Sequence, residues 1–562
     1  MSADSNSAAA AAPPSAPDCA AEDEPEIANN DGTIEEYYSK YVPAPDGIED
    51  MEVYTPGGFH PIHLNDTFQN RYTVIHKLGA GGSATVWLAR DSQDERYVAL
   101  KVVSASMSGF AETEVATHKR LRASIGESAL GGFVVPLLDD FWIEGPNGRH
   151  MCLVQSVCGP SLNTFRQFRL MKIRPDLISG LCMQLVQSLA QLHEAGLVYG
   201  DLSGGNVAFA LKNLDHLSVE EVLETLGQPE SYPVRVARKS DTDWAAKHGP
   251  HTVYDSIEFT VGASLDLLIP EVKLIDLGGS YFLPREFEED GAAFTESYAD
   301  PSSLGFNDAA DQASDIWALA CILFEMRSAT IFVENIGAGV FSQVLDRIGP
   351  LPKEWQDDAE NAEVAAHVEE SNPVNASREA SAQPQSKRQS FMLAVNKITG
   401  FTKLKQLCNA VLSWVVRKPS AKTKEQTRSD MVYMWDSRGD DKTLHGQIRN
   451  IGNWHPWHKL TIEQRRARLE DYNAVLEDKE DTSDKALDRG PPGHAALSDE
   501  EAADFEDLLR KMFTWERSER ITIGNVLKHP WFNKKYLVEE SGPWLQYYYY
   551  GCGYSAFGVR YI

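Results

Sequence analysis

The sequence is short of cysteine, of positive charge and of long apolar runs, and each shortage excludes something. Its seven cysteines, at 19, 152, 158, 182, 321, 408 and 552, are odd in number and scattered, and no C-x-x-C occurs. That excludes a disulfide framework or a paired-cysteine zinc site. It fits thiols kept reduced, so cytoplasm and nucleus are the expected locations. Lys and Arg number 53 against 82 Asp and Glu, a net charge of −29. Binding a phosphate backbone takes clustered cations, so no direct nucleic-acid partner is expected, while a basic peptide suits this charge. The longest apolar run, Trp317 to Phe324, falls well short of the roughly 18 residues a membrane helix needs, so no transmembrane segment is expected. Asp4 and Asp18 precede the first basic residue, Lys40, so the charged start of a signal peptide is not expected either.

What is present suffices for a large core: 42% hydrophobic and 10% aromatic residues in a chain of 562. That length suits about two to four domains, or one two-lobed enzyme with insertions. Residues 1–45 are Ala, Ser, Pro and acidic residues with few apolar groups, and are expected to form a disordered tail.

From Arg71 the pattern changes. Tyr72, Val74 and Ile75 suggest a strand. The segment Leu78-Gly79-Ala80-Gly81-Gly82-Ser83-Ala84-Thr85-Val86-Trp87 then reads as strand, glycine-rich turn, strand. A dinucleotide fingerprint would put a helix after the glycines, whereas Thr85-Val86-Trp87 is strand-like. The alternative is a hairpin whose glycines let backbone N–H groups approach phosphates. Tyr97 to Val103 is a strand with one lysine, Lys101, in an apolar run, and a buried ammonium needs a partner. Glu114 opens a helical pattern in which Val115, His118 and Leu121 recur at threes. Met151 to Val157 is another strand, broken by Gly159-Pro160. Ile178, Leu181, Leu185, Leu189 and Leu192 give one buried face of a long helix, which leads to Tyr199-Gly200-Asp201-Leu202-Ser203-Gly204-Gly205-Asn206. On its own, D-x-x-x-x-N is a weak signal. Ser218-x-x-Glu221 before Val222 is a capping box opening a further helix.

Taken in order, these pieces resemble the eukaryotic protein kinases: Gly79-x-Gly81 with Val86, Val98-Ala99-Leu100-Lys101, Glu114, Asp201 with Asn206, Asp276-Leu277-Gly278, Asp315-Ile316-Trp317, and Arg520 before His529-Pro530-Trp531-Phe532. The lead-in Gly57-Gly58-Phe59-His60-Pro61, the loop Ser83 to Ala89 and the D-L-G at 276–278 are similar to the SR-protein kinases, and the block Leu217-Ser218-x-Glu220-Glu221 through Leu226-Gly227-x-Pro229-Glu230, with Ile348-Gly349-Pro350-Leu351-Pro352, resembles their fungal SR-protein-kinase-like members. The likeness runs over about residues 55–355 and 498–532.

The resemblance implies a two-lobed α+β fold, a small antiparallel sheet with one helix over a mainly helical lobe. It implies an N-lobe with its lead-in at 46–157, and a C-lobe at 158–542 with insertions at 207–270 and 357–497. A tail at 543–562 follows. It implies ATP and Mg²⁺ as cofactors, with protein Ser/Thr as phosphate acceptor, in Arg/Ser-rich or otherwise basic substrates. A monomer is expected. By the same resemblance Leu78, Gly79, Ala80, Gly81, Gly82, Ser83, Val86, Ala99, Lys101, Gln155, Val157 and Cys158 would line the nucleotide site, with Gln155 at the gatekeeper position. Lys101, held by Glu114 rather than Glu112, would meet the phosphates, Asp201 would receive or orient the substrate hydroxyl, and Asn206 and Asp276 would hold the metal.

Several positions depart from the family pattern. The third loop glycine is Ala84, the lysine two residues after Asp201 is Ser203, and the His-Arg before Asp201 is Tyr199-Gly200. Ala-Pro-Glu is replaced by Asp300-Pro301-Ser302, which leaves Arg520 expected to lack a carboxylate partner. Gly200 predicts activity independent of phosphorylation at Thr295 or Ser297. A pseudokinase scaffold that binds nucleotide and signals by docking is the competing reading. A small-molecule phosphotransferase on the same fold is a third. Residues 357–390 read as a polar spacer and Leu404 to Val415 as a basic amphipathic helix, while the histidines around Trp454 do not complete a metal ligand set.

Overall fold

The computed structural model describes most of residues 40–353, together with 442–451, 497–536 and 545–547. Alternating β-branched and aromatic residues in the first part form a six-stranded sheet. Its strands are β1 (Thr67–Phe68), β2 (Tyr72–Ala80), β3 (Ala84–Asp91), β4 (Arg96–Val103), β5 (Leu137–Gly145) and β6 (Gly148–Ser156). They lie in the order β1-β2-β3-β4-β6-β5, and every neighbouring pair is antiparallel. Side chains alternate across a strand, so each face builds its own core. One face packs Val103, Leu137, Met151 and Leu153 against Ala111 and Val115 of helix α1 (Ser108–Ile125). The other gathers Tyr72, Val74, Trp87, Val98, Leu100 and Val154. Helix α1 begins at Ser108, six residues before Glu114, so Glu114 sits within the helix rather than at its start.

Below the sheet lies a mainly helical lobe with the largest apolar cluster. It holds α2 (Leu162–Gln167), α3 (Pro175–Glu194), and the short strands β7 (Leu197–Val198) and β8 (Val207–Leu211). Ile178, Leu181, Leu185, Leu189 and Leu192 of α3 are all buried, the single stripe their spacing predicts.

The stretch after β8 rises onto the upper lobe. Helix α4 (Val219–Leu226) opens with the predicted capping box, Ser218 and Glu221 each bonding the other's backbone N–H. Strand β9 (Ser231–Pro233), helix α5 (Thr242–His248) and strand β10 (Thr252–Tyr254) follow, with β9 and β10 paired. Ala245 and Val253 pack on Tyr41, Met51, Tyr54 and Phe59 of the lead-in. The buried Asn147 side chain, in the β5–β6 turn, donates to the carbonyls of Phe59 at 2.6 Å and His248 at 2.8 Å. The Ile257 N–H donates to the Lys77 carbonyl at 2.9 Å, and the Tyr254 ring stands edge-on to Trp87. This segment is a strap from the lower lobe to the upper.

Strand β11 (Leu268–Leu274) returns to pair with β8, so the strap proper lies inside the expected 207–270 insertion. Strand β12 (Tyr281–Phe282) pairs with β7. Helix α6 (Gln312–Ser328) is buried on every side from Ser314 onward, as suits a helix at the centre of a lobe, and Asp311 caps it. Helix α7 (Asp499–Met512) lies against it, joined by a buried pair in which Arg327 meets Glu501 at 2.8 and 3.0 Å. Short strands Met171–Ile173 and Leu545–Tyr547 also pair.

Within the stretch 1–45, the described residues from Lys40 on are packed rather than free. Tyr41 is buried and bridges to Val236 of the strap, while the Lys40 N–H donates to Glu52 at 2.6 Å. Residues 1–39, the spacer at 357–390, the basic stretch at 403–418, the Trp454–His458 cluster, Thr295, Ser297, Ser302, Tyr548 to Tyr550 and Phe557 lie outside the described residues.

Candidate active site

The cleft between the lobes is floored by one rung of the sheet. Gly79 stands opposite Val86, Val86 opposite Lys101, and Lys101 opposite Leu153, and the next rung sets Ala99 opposite Gln155. Leu78, Gly79 and Ala80 end β2, and Gly81, Gly82 and Ser83 turn the chain into β3. The turn is closed by the Gly81 N–H on the Ala84 carbonyl at 2.9 Å. Val157 and Cys158, both half-buried, follow β6 and lead to the lower lobe.

Lys101 projects from β4 toward α1. Its Nζ lies 2.9 and 3.2 Å from the two Glu114 carboxylate oxygens and 2.9 Å from Asp276 Oδ1. Glu112 is exposed and makes no such contact. Burial works against the Lys101 ammonium, but Glu114 and Asp276 outweigh it and raise its pKa above the ordinary value. Burial likewise disfavours the Asp276 carboxylate, yet Lys101 draws its pKa below the usual range. Asp276 follows β11 in a left-handed conformation, φ 60°, and the Gly278 N–H donates to its Oδ1 at 3.1 Å.

Asp201 and Asn206 come from the loop between β7 and β8. Asn206 Nδ2 donates to the Asp201 carbonyl at 2.9 Å and to its Oδ2 at 3.1 Å, and the Ile275 N–H donates to the Asn206 carbonyl at 3.0 Å. The loop is held from beneath by α6. Asp315 accepts the Tyr199 N–H at 2.8 Å and the Gly200 N–H at 2.9 Å, and its Oδ2 lies 2.9 Å from His193 Nε2. Asp311, not Asp315, is the cap of that helix. Tyr199, in the histidine's place, is fully buried and donates its hydroxyl to the Ile275 carbonyl. Gly200 has φ +83°, and a Cβ there would run into the Gly279 carbonyl oxygen. At Gly204 a Cβ would lie 2.5 Å from Asn163 Oδ1 and 2.9 Å from the Tyr298 hydroxyl. Glycine is what lets this loop, the segment after Asp276 and α2 close on one another.

Arg520 does not lack a carboxylate. Its guanidinium and the Asp300 carboxylate are both buried and paired, and Arg517 Nε reaches the same Oδ2 at 3.3 Å. The acid stands two residues upstream of Ser302, where the family pattern looks for it. The Asn163–Tyr298 contact at 3.2 Å and the Tyr298–Glu325 bond at 2.7 Å were also outside the sequence reading.

Among the described residues no cluster of three His, Cys, Asp or Glu would hold a metal ion by itself. The pair Asn206 and Asp276 fits a cation of another kind. Asn206 commits its amide nitrogen to Asp201, which leaves its oxygen, and Asp276 offers a carboxylate. Mg²⁺ takes one or two protein oxygens and fills its octahedron from phosphate and water.

Residues 266–532 match the family model of the protein kinase domain. Over part of its length the chain is also similar to SR-protein kinases. It is 29% identical over 293 residues to the serine/threonine-protein kinase SRPK of Physarum polycephalum, covering 50% of this chain and 66% of that one. It is 36% identical over 173 residues to spk-1 of Caenorhabditis elegans, 29% of this chain and 17% of that one. It is 35% identical over 164 residues to SRSF protein kinase 3 of Homo sapiens, 28% of this chain and 29% of that one. The chain thus spans less than two thirds of the length of these curated relatives. A domain of this family implies, in general, the use of ATP and Mg²⁺. No helix among the described residues is long and apolar enough to cross a membrane.

Proposed function

We propose that this chain transfers the γ-phosphate of ATP to a Ser or Thr hydroxyl of a protein, and that its substrates are Arg/Ser-rich or otherwise basic. The observation that carries this reading is the meeting of Lys101, Glu114 and Asp276 at 2.9 to 3.2 Å, beside a loop in which Asn206 holds Asp201. Phosphoryl transfer asks for positioning and charge neutralisation, and this constellation supplies both. Lys101, oriented by Glu114, binds the α- and β-phosphates. The glycine turn lays backbone N–H groups over them. Asp201 orients the acceptor hydroxyl and accepts its proton as the oxygen bonds to phosphorus and ADP leaves. Asn206 and Asp276 would hold Mg²⁺, which neutralises phosphate charge when bound. The net charge of −29 and the names of the relatives support a basic substrate.

The scaffold reading draws on Ser203, which removes a cation from beside the γ-phosphate, and on Ser302, and the retention of Lys101, Asp201, Asn206 and Asp276 argues against it. The deciding experiment is transfer of labelled γ-phosphate to an Arg/Ser peptide with Mg²⁺. Wild type is expected to phosphorylate the peptide, and Asp201→Ala to fall by about 10²- to 10⁴-fold. Equal signals from the two proteins would sink the kinase reading.

A further inference from the structure

Lys77 is a buried cation two residues ahead of the glycine turn. It lies in β2 and is 1% exposed. Its partner across the ladder is Trp87, whose ring its Nζ approaches to 5.8 Å. Trp87 belongs to the core on the side of the sheet away from α1, so the Lys77 side chain points away from the nucleotide cleft. There it meets Glu49 of the lead-in, in an ion pair whose two side chains are 1% and 6% exposed. The other Glu49 oxygen accepts the Tyr54 hydroxyl at 2.6 Å, and Tyr54 is buried in the cluster that the lead-in forms with the strap. The Lys77 backbone is held as well. Its carbonyl accepts the Ile257 N–H at 2.9 Å, and Lys77 forms a parallel bridge with Ser256 of the strap. Beyond Lys77 the pairing of β2 with β3 changes register before it resumes at Gly79, so where Lys77 is held decides where the turn begins.

An ammonium and a carboxylate both give up water here, and two apolar side chains of similar size would hold the fold as well or better. What the ion pair adds is direction, a point contact that fixes one residue of β2 against one residue of the lead-in. We propose that Glu49 is a positioning residue for the nucleotide phosphates. Through Lys77 it holds the start of the glycine turn at the height from which the backbone N–H groups of the turn reach them. This rests on the nucleotide-binding reading above and adds to it a residue from outside the cleft.

The test is calorimetric binding of ATP and of adenosine, with Mg²⁺, to the full chain. Adenosine keeps the base and ribose and lacks the phosphates, so it makes no use of the N–H groups of the turn. In Glu49→Gln, and in the double variant Glu49→Met with Lys77→Met, ATP is expected to bind about tenfold more weakly than in wild type, the worth of one hydrogen bond to a charged group. Adenosine is expected to bind all three proteins alike. The double variant leaves no unpaired buried charge, so it carries the test if Glu49→Gln does not fold. Undiminished ATP binding by the double variant would overturn the assignment. An equal loss for ATP and adenosine, or a double variant that does not fold, would mean that the pair serves stability alone, and overturns it as well. Failure of wild type to bind ATP at all would remove the nucleotide reading itself, a result distinct from either of these, and this assignment with it.

Discussion

Gly200 occupies the place where the family has an arginine, and its backbone explains why a simple reversal would fail. At φ +83°, with the Gly279 carbonyl oxygen where a Cβ would need to be, the position excludes a side chain. Gly200→Arg is therefore expected to lower the unfolding midpoint by several degrees rather than restore a phosphate-binding cation, which a thermal melt would show. Asp300 offers a second test. Asp300→Asn strips the carboxylate from the buried Arg520 and is expected to cost about 3–5 kcal/mol, read as a shift in denaturant midpoint at constant slope. The sequence could not reveal this pair. Its members lie 220 residues apart, and the acid sits off the motif by two positions. Lys101, Glu114, Asp201, Asn206 and Asp276 were picked out in sequence by residue type and order, and the structure brings Lys101 to Glu114 and Asp276, and Asn206 to Asp201.

At the scale of elements, period and caps were the readable signals. The leucine stripe of α3 and the capping box of α4 are local, with every partner within a few residues. The strap was read only as an insertion, because what it binds is more than 100 residues away. Asn147 is its main polar tie. It donates twice to backbone, and its Oδ1 lies 2.7 Å from His248 Nδ1. Asn147→Leu would leave two carbonyls unmet at about 1–3 kcal/mol each, and a large loss in denaturant midpoint is expected. The His60 and His150 rings stand 5.1 Å apart under the same lead-in. Burial, then His150, pushes the His60 pKa down from 6.5 to about 4. Burial, then Lys101, does the same to His118 on α1, also to about 4. Both are lowered on folding, so the unfolded chain binds protons that the native chain refuses. Stability should fall as pH drops from about 6.5 toward about 4. Melting temperatures across that range should decline, and His60→Gln should flatten the decline.

At the scale of the molecule, the described residues form two lobes, each with its own core, and an outline like that of the protein kinases was visible in the order of the motifs. What the order of motifs could not supply was how the lobes are joined. The residues after β6 make one connection, and the strap, running from β8 across to Tyr254 and Ile257, makes another. A third joins the segment before β5 to β11, where the Val135 N–H donates to the Leu274 carbonyl at 3.0 Å and the Leu274 N–H to the Phe133 carbonyl at 2.9 Å. Each fixing between two bodies removes some of their freedom to turn against one another, so the strap is expected to stiffen the hinge between the lobes. Weakening it, with Tyr254→Ala and Asn147→Ala together, is expected to speed ADP release in a stopped-flow displacement experiment. An unchanged release rate would mean that the strap is not what holds the cleft shut. The stretch that reads in sequence as padding is in this sense a brace.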